Sequence, residues 1–78
     1  MEKTEAVIQE ILLERRRQDQ KWGEQNHTTF KWLAILGEEF GEACTAALEY
    51  SNLREELIQV AAVAVVFIEC LDRQGKQT

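Results

Sequence analysis

Seventy-eight residues with a formal net charge of -5 make one small domain at most, with a core barely sufficient by itself. The negative charge argues against a nucleic-acid backbone as partner, so any polyanion this chain binds requires a bridging cation or a local basic cluster. Two cysteines, Cys44 and Cys70, are too few for a disulfide framework and read as small core residues in a reducing, cytoplasmic setting.

The opening "MEKTEAV" mixes both charge signs and has no apolar signal region, so no targeting segment is expected. A first helix is predicted from about Glu5 to about Lys21 with Thr4 as N-cap. Val7, Ile8, Ile11 and Leu12 form its apolar stripe. The same side continues through Arg15, Gln18, Asp19 and Trp22, so the stripe turns polar in its second half, either as a solvated end or as the wall of a polar pocket. Residues 22–29, "WGEQNHTT", are rich in turn and capping types and mark the main break. A second helix begins near Thr28 or Thr29 and runs to about Tyr50. Asn52, with Glu55 three residues on, resembles a capping box for a third helix from about Leu53 to about Arg73.

Residues 57–68, "LIQVAAVAVVFI", are apolar except for Gln59. At roughly 1.5 Å per residue the run is about 18 Å long, too short for a bilayer core of about 30 Å. No membrane partner is expected. A buried strand is the competing reading; the capping pattern, the alanines and the length favour a helix. A helix apolar on every side must be surrounded, and two further helices of one small chain cannot easily do so. The expected architecture is all-α: a three-helix protomer forming a four-helix-bundle-like core in a homodimer. Whether dimers pair again into tetramers is left open.

On a helical wheel with Trp32 at zero, Ile35, Leu36, Ala43, Ala46, Ala47 and Tyr50 fall within about 60° of it. Glu39 lands near 340°, inside this apolar arc, Glu42 at its border and Glu38 just outside. An ionised carboxylate in a dry core costs several kcal/mol unless paired or bound to metal. Glu39 and Glu42 could pair with Arg15, Arg16 or Lys31, the helix could be rotated so that they are solvated, or they could hold a metal ion. In the third helix, Glu56 and Gln59 share a face and supply further oxygens. Such hard ligands suit Mg²⁺ or Mn²⁺ rather than zinc.

"EEFGE", residues 38–42, followed after thirteen residues by "ELIQ", residues 56–59, resembles the EExxE…ExxD signature of the MazG-like all-α nucleoside triphosphate pyrophosphohydrolases. The likeness extends through "RQDQKWGEQNHTTFKWLAILGEE" and covers about Glu14 to about Asp72. It implies a single MazG-like domain over residues 1–78 that binds Mg²⁺ and hydrolyses nucleoside triphosphates to monophosphate and pyrophosphate. Glu38, Glu39 and Glu42 would be catalytic, and Glu38, Glu39, Glu42, Glu56 and Gln59 would form the metal site. Gln59 departs from the signature, which has Asp; the amide can donate an oxygen but removes one negative charge. Arg15, Arg16, Arg17, Lys21 and Lys31 are available for phosphate oxygens; a solvated helix face is the competing role for most of the arginine run. Trp22 and Trp32 could stack on a base, and Asn26 and His27 could read its edge; core packing is the competing role for each tryptophan.

Overall fold

The computed structural model describes residues 1–75, which form three helices and, among the described residues, no strand. Helix α1 spans Glu2–Trp22, α2 Thr29–Leu48 and α3 Leu53–Gln74. The all-α reading holds. Helix α3 packs on both α1 and α2, whereas no Cα of α1 comes within 8 Å of one in α2. The protomer is therefore two helices flanking a third, with a cleft open between the flanks.

Helix α1 starts at Glu2 and not near Glu5, so Thr4 lies inside the helix and is not its cap. Met1 occupies the capping position without a side-chain bond, and Glu2 and Glu5 place negative charge at the positive end of the helix dipole instead. Gly23 ends the helix at φ 70° and ψ -163°, a backbone region essentially restricted to glycine. Helix α2 starts as expected: Thr28 accepts a hydrogen bond from the Lys31 backbone N–H at 3.2 Å.

The end of α2 is earlier than Tyr50. The Ser51 N–H donates to the Ala46 carbonyl and the Tyr50 N–H to the Ala47 carbonyl, with Tyr50 at φ 53°. This is the Schellman arrangement with tyrosine at the left-handed position normally held by glycine. Tyr50 is consequently 99% exposed and leaves the apolar arc, as does Ala47. Asn52 precedes α3 as expected, but the capping box is not formed. Its side chain makes no capping bond and donates from Nδ2 to Glu56 Oε1 at 3.3 Å.

The core is centred on Trp32, Val66 and Cys70, with Ile35 and Phe67 packed against them. The Trp32 and Phe67 rings stack at 5.9 Å, and the edge of His27 meets Trp32 at 4.7 Å. Ala43 and Ala46 are buried on α2, and Ala62 and Val63 on α3. Of the two cysteines only Cys70 is a core residue; Cys44 is exposed, since Ala43 takes the inward slot about 100° away. Helix α3 buries one side only. Leu57, Val65 and Ile68 are exposed on it, as are Ile8 and Leu13 on α1 and Phe30, Leu33, Phe40 and Leu48 on α2.

Among the described residues Arg15 is the one buried charged residue. It donates to Gln18 Oε1, Asp19 Oδ1 and Glu69 Oε1 at 2.8–2.9 Å, joining α1 to the far end of α3. Arg54 and Glu10 pair at the near end. Arg73 donates to Asn26 Oδ1 and the Gln25 carbonyl, which ties the 23–28 loop to α3.

Candidate metal centre and adjoining cleft

Residues 32, 35, 39, 43 and 46 of α2 follow one helical face, and the structure turns that face toward α3. Trp32, Ala43 and Ala46 on it are buried and Glu39 is half-buried among them. One turn on, Glu42 is exposed at the border of the same face, and Glu56 comes from the first turn of α3. Ligand oxygens of Glu39, Glu42 and Glu56 all lie within 4.8 Å of one another. Glu38 is outside this triad, exposed on the rim of an open groove that Glu42 and Glu56 also line.

The triad has no counter-charge among the described residues. Among the described residues no ion pair involves Glu38, Glu39, Glu42 or Glu56, and Arg15 is committed to Asp19 and Glu69 instead. The salt-bridge alternative for Glu39 and Glu42 is therefore not what this chain forms. Burial, and then the charges of Glu42, Glu56, Glu38 and Glu14, push the Glu39 carboxyl above the ordinary range. Burial and the adjacent Glu42 do the same to Glu56, whose Oε2 is inaccessible and without a hydrogen-bond partner. Two oxygens on one Mg²⁺ stand at most about 4.2 Å apart. Three carboxylates converging within 4.8 Å, uncompensated and with one oxygen orphaned, fit a hard divalent cation after small side-chain adjustment.

Beside the triad runs a cleft of about 210 Å³ lying between α1 and α2 over α3. Glu39 and Gln59 line it together with Trp22, His27 and Trp32, so the structure brings five of the sequence-derived site residues into one cavity. Trp32 is 1% exposed and stacked on Phe67, which makes it the floor of the cleft and a core residue at once. Trp22 is half exposed, with Lys21 Nζ 4.6 Å from its ring centroid.

Other expected ligand residues lie elsewhere. Arg15 lines a separate hollow with Asp19, Glu69 and Arg73, its guanidinium engaged as described. Asn26 accepts from Arg73 and donates to Glu24, so its amide holds the loop in place. Lys31 is exposed and does not line the cleft. Gln59 turns toward α1: its Oε1 accepts from Gln18 Nε2 at 3.3 Å.

Glu14 was missed by the sequence reading. Its carboxylate accepts from Arg17 Nε at 2.9 Å and Arg17 Nη2 at 2.6 Å, and from Gln18 Nε2 at 3.1 Å. These partners, Arg17 foremost and with Gln59 contributing, hold its carboxyl down to about 2. The available signal was the polar continuation of the α1 stripe at Gln18, one turn after Glu14. Comparison of the chain with protein-family profiles, curated proteins and solved structures gives no significant match.

Proposed function

We propose that this chain is a Mg²⁺-dependent nucleoside triphosphate pyrophosphohydrolase of the MazG-like kind, working in the cytoplasm as a homodimer. The observation that carries the reading is the convergence of Glu39, Glu42 and Glu56, without a counter-cation, at the side of an aromatic-walled cleft. A purely structural bundle gains nothing from three uncompensated carboxylates converging at the edge of its core. Mg²⁺ or Mn²⁺ held there would supply charge neutralisation for a triphosphate and a more acidic water.

The chain's own residues do the rest. Trp22 and His27 wall the cleft for a base, Trp32 floors it, and Asn26 fixes the loop that carries His27. Glu38, exposed on the groove that Glu42 and Glu56 also line, would take the proton from water. Gln59 lines the cleft beside Glu39, with its side-chain oxygen accepting from Gln18. The homodimer is supported by the apolar side chains left exposed on all three helices, above all Leu57, Val65 and Ile68 of α3. A second reading, a nucleotide-binding relative without catalysis, is favoured by one observation: the Gln59 amide is engaged with Gln18 where the resembled signature has a free acid.

Pyrophosphate release across the eight common NTPs and dNTPs, with Mg²⁺ and with chelator, is the test. Release from at least one nucleotide, lost with chelator and in Glu39→Gln, is expected. Metal-dependent binding of a non-hydrolysable dNTP without release would favour the second reading. Neither release nor binding would overturn both.

A further inference from the structure

Arg17 is the one cation among the described residues that line the cleft, alongside His27, Trp32, Glu39 and Gln59. Its guanidinium is held along one edge, with Nε and Nη2 both donating to Glu14. Glu14 is itself anchored: its side chain is 12% exposed and it accepts a further bond from Gln18, which also reaches Gln59 on α3. A guanidinium pinned through Nε and Nη2 keeps Nη1 and the second Nη2 hydrogen for another oxygen. A fixed fork loses less conformational freedom on binding an anion than a mobile lysine does.

We infer that Arg17, oriented by Glu14, is the residue of the cleft that recognises the phosphate of a bound nucleotide. Arg17 makes the phosphate contact, and Glu14 is a positioning residue acting through it. This assignment rests on the nucleotide reading above and narrows the phosphate-binding role to Arg17, because Arg15 is bonded to Gln18, Asp19 and Glu69 and lies outside the cleft, whereas Arg17 lines it.

Calorimetric titration of the full chain with α,β-imido-dNTPs in Mg²⁺, and with the corresponding nucleosides, tests it in wild type, Arg17→Gln, Arg17→Lys and Glu14→Gln. Arg17→Gln is expected to weaken the imido-dNTP about tenfold or more while leaving the nucleoside unchanged. Arg17→Lys should recover only part of the loss, since an ammonium lacks the fork. Glu14→Gln should weaken the imido-dNTP by roughly threefold to tenfold and leave the salt dependence of binding intact, as the Arg17 charge remains. Wild-type affinity in Arg17→Gln, or an equal loss for nucleotide and nucleoside, would overturn the assignment and leave the nucleotide reading standing. A wild-type chain that binds no imido-dNTP would overturn both.

Discussion

Glu39 is where the chemistry of single residues can be decided most cleanly. Its carboxyl is pushed up by burial and by four neighbouring carboxylates, so in the metal-free protein its charge opposes folding. Glu39→Gln is expected to abolish divalent-cation binding and to stabilise the metal-free chain by about 1 kcal/mol, roughly 4–8 °C in melting temperature. A thermal melt that drops by several kcal/mol would mean an abandoned cation and would count against the metal site. The same residues set a pH dependence. Raised carboxyls on Glu39 and Glu56 give stability that is fully present below their unfolded value of about 4.5 and is lost as pH rises from there through their folded values. Glu14, lowered to about 2, works oppositely: its contribution holds above about 4.5 and is lost as pH falls toward 2. Metal-free protein should therefore melt higher at pH 5 than at pH 7, and Mg²⁺ at pH 7 should recover the difference. Equal melts at both pH values, with no response to Mg²⁺, would contradict the site. Gln59→Asp tests the neighbouring position. It breaks the contact with Gln18 and sets a charge beside Glu14, so the melt should fall without Mg²⁺ and rise more steeply than wild type as Mg²⁺ is added.

At the scale of elements, the joints differ in how visible they are to sequence reasoning. The Thr28 cap of α2 was legible because a hydroxyl before a helical run has one local task. The Asn52 cap looked equally strong, yet the Schellman ending of α2 leaves Asn52 at φ 8°, where its side chain cannot reach back to the α3 amides. Tyr50 carries that turn in the left-handed region at a cost of about 1–2 kcal/mol. Tyr50→Gly is expected to raise stability by about 1 kcal/mol, read by chemical denaturation. A loss instead would place the Tyr50 ring in a contact with a second copy. Between α1 and α3 the joint is Arg15, 7% exposed and bonded to three acceptors. Arg15→Ala should destabilise by about 2–4 kcal/mol, and Arg15→Met, which keeps the buried stem, by less than half of that.

For the whole molecule the unfinished feature is apolar surface. The radius of gyration of 13.4 Å exceeds the roughly 11.5 Å expected of 78 residues, because α1 and α2 flank α3 without closing on each other. Exposed leucines, phenylalanines and isoleucines on all three helices make a lone protomer a poor solution. Sedimentation at micromolar concentration is expected to find a dimer, and a folded monomer there would remove the basis of the homodimer. No helix among the described residues is long and apolar enough to cross a membrane.

The sequence by itself determined the three helices and the inward direction of Glu39. Both follow from periodicity within one helix, which places side chains at 100° intervals whatever the rest of the chain does. It also grouped Glu39, Glu42 and Glu56 through a resemblance, but no local rule relates α2 to α3 or α1 to either. Only the tertiary structure decided that Glu38 stands outside the triad, that Arg15 is spent on Asp19 and Glu69, and that Gln59 faces Gln18. It alone showed that, of the basic residues in the first helix, Arg17 lines the cleft and is held there by Glu14. The rotation of each helix about its own axis is set by how all three pack together, and that is a property of contacts far apart in the chain.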